Sequence, residues 1–475
     1  MLNQTQEKQK NVPWLYRGYP QVVITGIIAF CCPGFFNAIQ GLGGAGNANP
    51  SANDPANIAL YVCFAIFGYL GGFFFNIMGP RILMCVGGLS YAFYAAAAYV
   101  SGHVAGTGWL FILAGAVCGL GAGWLWTAQG ALMMAYAPEN RKGHYITTFW
   151  VIFNLGGFIG GILQFALNFS ESSGGASSAS YFVFIAIMAV GGIMSLFLLK
   201  SPSKVVLEDG NKAVMAQAKG AKEELLDAMS VILDKNMLLL MLLFFGSNFF
   251  YTYVFNCVNG ALFTIRTRGL NSALYWLAQM AGAWISGIIQ DDPKRSMARR
   301  AKNGFWFMCI TFNITYALGC YLQYGYHGGY DRYHNVVEPE DQIDLTDYYY
   351  WYPLIVYILY GFSDSVVQTF SYWIMGAIAG DDAGLAARYT GLYKGVQSVG
   401  AVISWTIDLP QLRVPYSAQF WICWILFIIS LPTTYIITRK VGKRSVEIVD
   451  ATNYSSSSSS DEDGSTPTKI EGGLN

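Results

Sequence analysis

Charge is what this sequence has least of. Asp, Glu, Lys and Arg together make up 12% of its 475 residues and cancel to a net charge of zero, while hydrophobic residues make up 54%. An ordinary soluble fold is not composed in this way. Histidine is as scarce: the four, His103, His144, His327 and His334, lie in or near connecting segments with no ligand-like cluster. No CxxC spacing occurs among Cys31, Cys32, Cys63, Cys85, Cys118, Cys257, Cys309, Cys320 and Cys423, which all fall within or at the edge of apolar stretches. They read as small apolar residues, so neither disulfides nor metal ligands are expected. Paired catalytic carboxylates, a nucleophile elbow and HExxH are all missing, which argues against an enzyme. GLGGAG (41 to 46) superficially suggests a dinucleotide loop, but no strand precedes it and no helix start follows, so no cofactor is expected. Nucleic acid is not an expected partner either. The first residues, MLNQTQEKQKNVPW, lack the short apolar core and cleavage site of a signal peptide, and the first apolar run is expected to direct insertion.

What is present is a series of apolar blocks near the length needed to cross a bilayer. They lie near 19 to 45, 56 to 78, 82 to 101, 109 to 136, 144 to 169, 181 to 200, 237 to 264, 270 to 290, 303 to 325, 351 to 378, 386 to 407 and 416 to 438. Each is long enough for a helix of about 20 residues and too continuous for the alternating strands of a membrane barrel. The expectation is an all-α polytopic membrane protein of twelve transmembrane helices, with the lipid bilayer as its first partner.

Lys and Arg set the orientation. With twelve spans, 23 of the 28 fall on the side of both termini, four (Arg266, Arg268, Arg332 and Arg413) on the other side, and Lys394 within a span. The bias places both termini in the cytoplasm. The domain plan is then a cytoplasmic N-terminus (1 to 18), a six-helix bundle (19 to 200), a cytoplasmic linker (201 to 236), a second six-helix bundle (237 to 438) and a disordered cytoplasmic tail (439 to 475).

The two bundles repeat one another. FNAIQG (36 to 41) returns as FNCVNG (255 to 260). NIALYVCFAIFGYLGGFFFNIMGPR (57 to 81) aligns without a gap to NSALYWLAQMAGAWISGIIQDDPKR (271 to 295), with Asn57/Asn271, Tyr61/Tyr275, Gly68/Gly282 and Arg81/Arg295 identical. Tyr145, Phe149 and Gly156 match Tyr389, Tyr393 and Gly400. Both copies start on the same side, so they are parallel repeats about an axis along the membrane normal, as in the two halves of major facilitator transporters.

GFFFNIMGPR (72 to 81) resembles a degraded form of the major facilitator loop signature G-x-x-x-D-R-x-G-R, with Asn76 in the acidic place and Gly79 and Arg81 retained. CCPGFFNAIQGLGGAG (31 to 46), GLGAGWLWTAQGAL (119 to 132) and GFSDSVVQTFSYW (361 to 373) together resemble the uncoordinated-93-like family, particularly its fungal-type members, over about residues 15 to 440. The resemblance implies a twelve-helix major facilitator fold. It leaves two functions open, because the family holds both transporters and proteins that regulate channels or escort receptors.

In a major facilitator arrangement helices 1, 4, 7 and 10 line the central cavity. Asn37 and Gln40 lie on helix 1, Gln129 on helix 4, Asn256 and Asn259 on helix 7, and Asp364 and Gln368 on helix 10. Spacings of three or four put each pair on one helical face, where a wet cavity would solvate the amides. The alternative is that they bond helix to helix as packing glue. Asp364 is a carboxylate near mid-span, expensive and usually functional, and suited to carrying a coupling proton; the alternative is a fixed ion pair or a hydrogen-bonded, permanently protonated acid. Lys394, on helix 11, either snorkels, pairs structurally (Asp364 included) or meets substrate. The glycines at four-residue spacing (Gly115, Gly119 and Gly123) predict close helix packing.

The first functional expectation is a secondary transporter of a small solute by alternating access, with proton coupling through Asp364. The alternative is a non-transporting scaffold with a membrane-protein partner, a channel or receptor. The plasma membrane and an endomembrane (endoplasmic reticulum or vacuole) both fit. Within the linker, AVMAQAKGAKEELLDAMSVIL has the spacing of an amphipathic helix. The acidic, Tyr-rich segment 326 to 349 reads as a solvated cap. Asn168-Phe169-Ser170 forms a sequon too close to the bilayer for glycosylation. NYSSSSSSDEDGSTPTK has no apolar content for a core, and its serine run ahead of acidic residues suits phosphorylation.

Overall fold

In the computed structural model the described residues are 12–46, 50–136, 142–170, 176–208, 210, 212–213, 221–292, 294–380 and 383–460. Twelve long helical runs can be followed among them. In the first half these are α1 (Gly18–Gly41), α2 (Pro50–Tyr69), α3 (Gly71–His103), α4 (Gly108–Tyr136), α5 (Lys142–Leu167) and α6 (Ser178–Leu198). The second half holds α7 (Lys235–Gly246, continuing after a turn as Tyr253–Gly260), α8 (Ile265–Gln290), α9 (Met297–Tyr324), α10 (Trp351–Ala379), α11 (Ala383–Asp408) and α12 (Tyr416–Ser460). Eight apolar stretches are long enough by themselves to cross a membrane; α2, α7, α8 and α11 carry too much polarity or too short a run. Those four hold most of the polar contacts described below.

Each half has its own apolar core, one built from residues between Val22 and Ala213 and the other from residues between Val231 and Val441. The halves meet along α5 with α8 and along α2 with α11. Because α8 is the repeat counterpart of α2, and α11 of α5, these are the same interface written twice. The repeat is therefore a symmetry of the packing as well as of the sequence.

Close approach of backbones is what the glycines at four-residue spacing provide. A Cβ on Gly115 or Gly119 would overlap the α2 carbonyls of Ala56 or Leu60, and one on Gly123 would stand 2.5 Å from the Gly68 nitrogen. Without water between helices, such contact is a main source of association.

The leading helix of each half is interrupted. In α1, Pro33 sits in a π-helical segment, Phe30–Gly34, since it can supply no N–H to the regular ladder. In α7 the helix breaks over 247 to 250 and resumes as a π-helix, so the single run expected over 237 to 264 is two pieces. π-Segments collect at functional sites, and broken helices expose polar backbone at the middle of a membrane fold.

The described part of the linker, the start of α1 and Lys440 of α12 gather on one face, called here the linker face. There Gly18 N–H donates to Val206 O and Val206 N–H to Tyr16 O, and Lys440 Nζ reaches Asn236 Oδ1 at 2.7 Å. A short helix, Ala221–Ile232, lies along this face as the linker sequence leads one to expect. The degraded signature is here as well. Helical bonding passes through Leu70 from α2 into the first residues of α3, and the chain reverses at Gly79 (φ 73°, ψ 167°), a backbone only glycine adopts readily. Arg81 donates to the Leu196 carbonyl in the last turn of α6, where a cation suits the helix dipole. The side chain of Asn76 lies outside the described residues.

The opposite face, the loop face, differs in part from its expectation. Segment 326 to 349 is exposed over much of its length, as a cap is, but it is also anchored: Tyr330 and Ile343 are buried, and Ile343 exchanges backbone hydrogen bonds with Leu262 and Thr264. Two ion pairs tether the segment, its Asp344 with Arg266 at 2.6 Å and its Arg332 with Asp408 at the end of α11. Asn168, the sequon residue, is wholly buried and bonded to Gln164, Ser180 and the Ser177 N–H, which leaves it closed to a glycan. Although composition pointed to a disordered tail from 439, α12 runs on to Ser460, adding one backbone bond per residue beyond its apolar span. Residues 461–475, with the acidic run, lie outside the described residues.

Candidate functional site

Two polar centres stand out along the axis between the halves. The first is at the loop face, where α1 and α7 end. Gly43 (φ 76°) is packed so closely on Gly260 that a Cβ would come 2.6 Å from the Gly260 Cα. Only glycine serves both the positive φ and the contact. Asn259 Nδ2 crosses from α7 to donate to the Gly41 carbonyl at 2.7 Å, an orphan acceptor at the end of α1. One turn earlier, Asn256 accepts from the Gly44 N–H (2.8 Å) and donates to Asp408 Oδ2 (2.8 Å) and Asp54 Oδ1 (3.3 Å). Asp54 opens α2 and Asp408 closes α11, so this one amide ties both helices of an inter-half interface to α7.

Arg332 supplies the cation of this centre. It lies 4.8 Å over the Tyr416 ring and donates to Asp408 through both the backbone and the carboxylate. Burial works against its charge, but Asp408 together with Cys257 and Tyr416 outweighs that and holds the guanidinium above its usual range. Two carboxylates, an amide and an arginine thus form a latch that joins the halves at the loop face.

The second centre is mid-span and lies wholly within the second half. Asp364 is fully buried. Tyr275 Oη donates to its Oδ2 at 2.9 Å, Gln279 Nε2 to the same oxygen, and Gln368 Nε2 to Oδ1 at 2.9 Å. Gln368 is pivotal, because its oxygen faces the other way and accepts from Tyr393 Oη (3.3 Å), Gln397 Nε2 (3.4 Å) and Lys394 Nζ (3.5 Å). Lys394 also donates to Gln397 Oε1 at 2.8 Å and stands 5.0 Å and 5.5 Å from the ring centroids of Tyr393 and Tyr372. Acid and base are therefore joined through one amide and not in direct contact.

The half-buried members of this network, Asn248, Tyr251, Gln368, Tyr372 and Lys394, come from α10, α11 and the break in α7. Lys394 sits on the side of α11 away from the exposed apolar residues Val399 and Ile403, so its exposure is toward the interior. Across the axis, the Trp150 ring of α5 lies 6.0 Å from that of Tyr372 and 6.0 Å from Trp126 of α4. Trp150 of the first half thus meets Tyr372, one of the two rings beside Lys394.

The residues singled out in the sequence separate accordingly. Asp364, Gln368 and Lys394 form one network, Asn256 is the amide of the latch, and Asn259 bonds the end of α1 beside it. Gln40 turns into the first bundle, donating to Asn57 Oδ1 at 2.5 Å, with Tyr94 Oη beside both. The repeat has the same pair, Asn271 Nδ2 to Asn259 Oδ1 at 2.9 Å. Asn37 is half-buried with no side-chain hydrogen bond among the described residues, and Gln129 is buried on α4 away from the network. Asp54, Asp408, Arg332, Tyr275, Gln279 and Gln397 escaped sequence reading. Only Tyr275 carried a signal, its identity with Tyr61 in the repeat.

A family model, Major Facilitator Superfamily, matches residues 24–404. UNC93-like protein 1 of Arabidopsis thaliana is 39% identical over 415 residues, 87% of this chain and 88% of that protein. A UNC93-like protein of Schizosaccharomyces pombe is 38% identical over 413 residues, 86% of this chain and 80% of its own. Among solved structures, a partially occluded, inward-open conformation of the Escherichia coli xylose transporter XylE superposes with a TM-score of 0.60 at 13% identity, covering 89% of this chain and 97% of that one. At that identity the likeness is one of fold.

Proposed function

The chain belongs to the Major Facilitator Superfamily, among its UNC93-like proteins, and from that premise we propose that it is a secondary transporter moving a small solute by alternating access, coupled to protons through Asp364. The observation that carries the reading is the placement of Asp364. A mid-span carboxylate is costly unless something repays it, and this one, itself fully buried, sits in a network whose other members Gln368 and Lys394 are only half-buried. A purely structural acid would be served by a direct partner. Asp364 instead reaches the half-exposed Lys394 through Gln368, a connection that a change of protonation can rearrange.

The latch supports the same reading. It holds the halves together at the loop face, as expected for one end state of an alternating cycle, and it is built of polar contacts that water can replace when the halves part. Lys and Arg crowd the linker face, so in this reading both termini are cytoplasmic and the solute space opens toward the cytoplasm. The membrane is the plasma membrane or an endomembrane.

The test is flux in vesicles reconstituted from the purified full chain under an imposed pH gradient. Gradient-driven uptake or efflux is expected for wild type. Asp364→Asn, which keeps shape and hydrogen bonding, should abolish the dependence on the gradient while thermal unfolding shows a folded protein. No flux for any solute, together with a membrane protein that co-purifies stably, would turn the reading to a scaffold that regulates or escorts that partner.

A further inference from the structure

The direction of each hydrogen bond in the mid-span network says more than that a proton is carried. Gln368 presents its NH2 group to acceptors, Asp364 Oδ1 at 2.9 Å and Asn248 Oδ1 at 3.3 Å, and its oxygen to donors on α11. The direct contacts of Lys394 are neutral oxygens and aromatic rings, and the Asp364 carboxylate acts on it only across Gln368; it enters no ion pair among the described residues. A half-buried ammonium so placed lacks a direct counter-ion. It also faces the interior, where Trp150 of the other half meets Tyr372 and Trp126 stacks on Trp150. From this geometry we infer that Lys394 is the counter-charge for an anionic solute, and that Gln368 makes its availability depend on whether Asp364 holds a proton.

The inference rests on the reading of this network as the solute site. With Asp364 ionised, the network is neutral, and Lys394 is tied to the carboxylate through the Gln368 amide. When Asp364 takes a proton on Oδ1, that oxygen becomes a donor and a weaker acceptor for the Gln368 NH2 group. The amide answers by turning over together with its neighbour Asn248, so that its oxygen accepts from Asp364 and from the Asn248 NH2 group, while Tyr251 Oη can donate as well as accept. Its NH2 group then faces Lys394 and Gln397, both donors, and those contacts break. The network is left with one net positive charge at Lys394 and an ammonium released toward the interior. A monovalent anion restores neutrality. One proton and one such anion therefore enter together, and the solute class is the organic or inorganic anion, with a planar apolar body favoured by the aromatic rings beside Lys394.

Calorimetric binding to the full chain in detergent tests this, with benzoate, acetate and inorganic phosphate as anionic probes and benzamide and benzylammonium as the neutral and cationic counterparts. At least one anion is expected to bind, about tenfold tighter near pH 5.5 than near pH 8 and with proton uptake from the buffer, while the counterparts do not. Lys394→Gln should weaken that binding about tenfold or more and Lys394→Arg should largely restore it, a rescue that distinguishes charge from folding. Gln368→Leu should keep anion binding but flatten its pH dependence. Binding of benzamide or benzylammonium as tight as benzoate, no binding of any of the three anions, or unchanged affinity in Lys394→Gln overturns the inference. Anion binding with no flux in vesicles upholds it and removes the transporter reading instead.

Discussion

At the scale of single residues, the repeated amides show how one phrase can do different work in its two copies. Gln40 with Asn57 and Asn259 with Asn271 are the same buried amide pair, placed by the same repeat. Asn259 has a further duty, since its NH2 group also satisfies Gly41 O across the halves. Asn259→Ala would leave the Asn271 NH2 group without its acceptor and the Gly41 carbonyl with only the longer bond from Tyr357 Oη at 3.4 Å, and an orphaned buried group costs about 1–3 kcal/mol. Membrane hydrogen bonds average nearer 0.6 kcal/mol because the unfolded chain finds other partners. The total burial here favours the larger figure, so thermal unfolding should show a loss of about 1–3 kcal/mol. Asn37→Ala, at a half-buried position without a described partner, should stay within about 0.5 kcal/mol. Equal losses would mean that the amides do not differ in this way. The pairs were legible in the sequence because the internal alignment juxtaposed Asn57 with Asn271. Asp54 and Asp408 were not, since each lies just outside an apolar block, where a carboxylate costs little and draws no attention until the fold brings the two together.

Elements were easier to read than their ends and breaks. Twelve apolar blocks and the two-fold repeat follow from composition and offset alone. The interruption of α7 does not, because no proline marks it as Pro33 marks α1, and the order of the 326 to 349 segment was hidden by its polarity. That segment is solvated over much of its length, as its carboxylates suggest, and what they do not reveal is its tether through Asp344 and Arg332. Asp344 accepts from Arg266, Thr264 and Thr346. Burial pushes its carboxyl up, yet the hydrogen bonds outweigh burial and hold it well below the usual carboxylate range. A depressed carboxyl stabilises the folded state above its unfolded pKa of about 3.9, and loses that contribution as pH falls toward the folded value. The tether should therefore be unaffected between neutral pH and about pH 5, and weaken only in stronger acid. Asp344→Asn should bring the loosening to neutral pH, seen as faster amide exchange over 336 to 350 while the core of α9 stays protected. Exchange in wild type that rises steadily from about pH 7 to pH 5, beyond the intrinsic trend, would show that the carboxylate is not held in this way.

For the whole molecule, the two halves can exchange end states only if the contacts between them are of two kinds. The α5 with α8 and α2 with α11 interfaces are long and repeat one another, as a pair of surfaces on which the halves rock requires. The latch at the loop face is short, polar and unsymmetrical: Asn256 meets Gly44 and Asp54, while its counterpart Asn37 makes no such contact. Breaking it exposes groups that water can satisfy, so opening there is cheap compared with separating apolar helices. This assigns the latch as the gate, and the assignment can be tested by fixing it. With the native cysteines replaced, Asp54→Cys and Asn256→Cys put two thiols across the gate, where the side chains they replace now hydrogen-bond at 3.3 Å. A short, reducible bifunctional thiol reagent should join them and reduce flux at least about tenfold, reduction should restore it, and either single variant should be unaffected. A membrane-impermeant form of the reagent should act on a plasma-membrane-targeted protein from outside the cell, because the gate then faces outward. Probe binding from the linker face should survive the cross-link, since the network around Asp364 lies beyond it. Undiminished flux in the cross-linked protein would mean that the halves do not part at the loop face during transport.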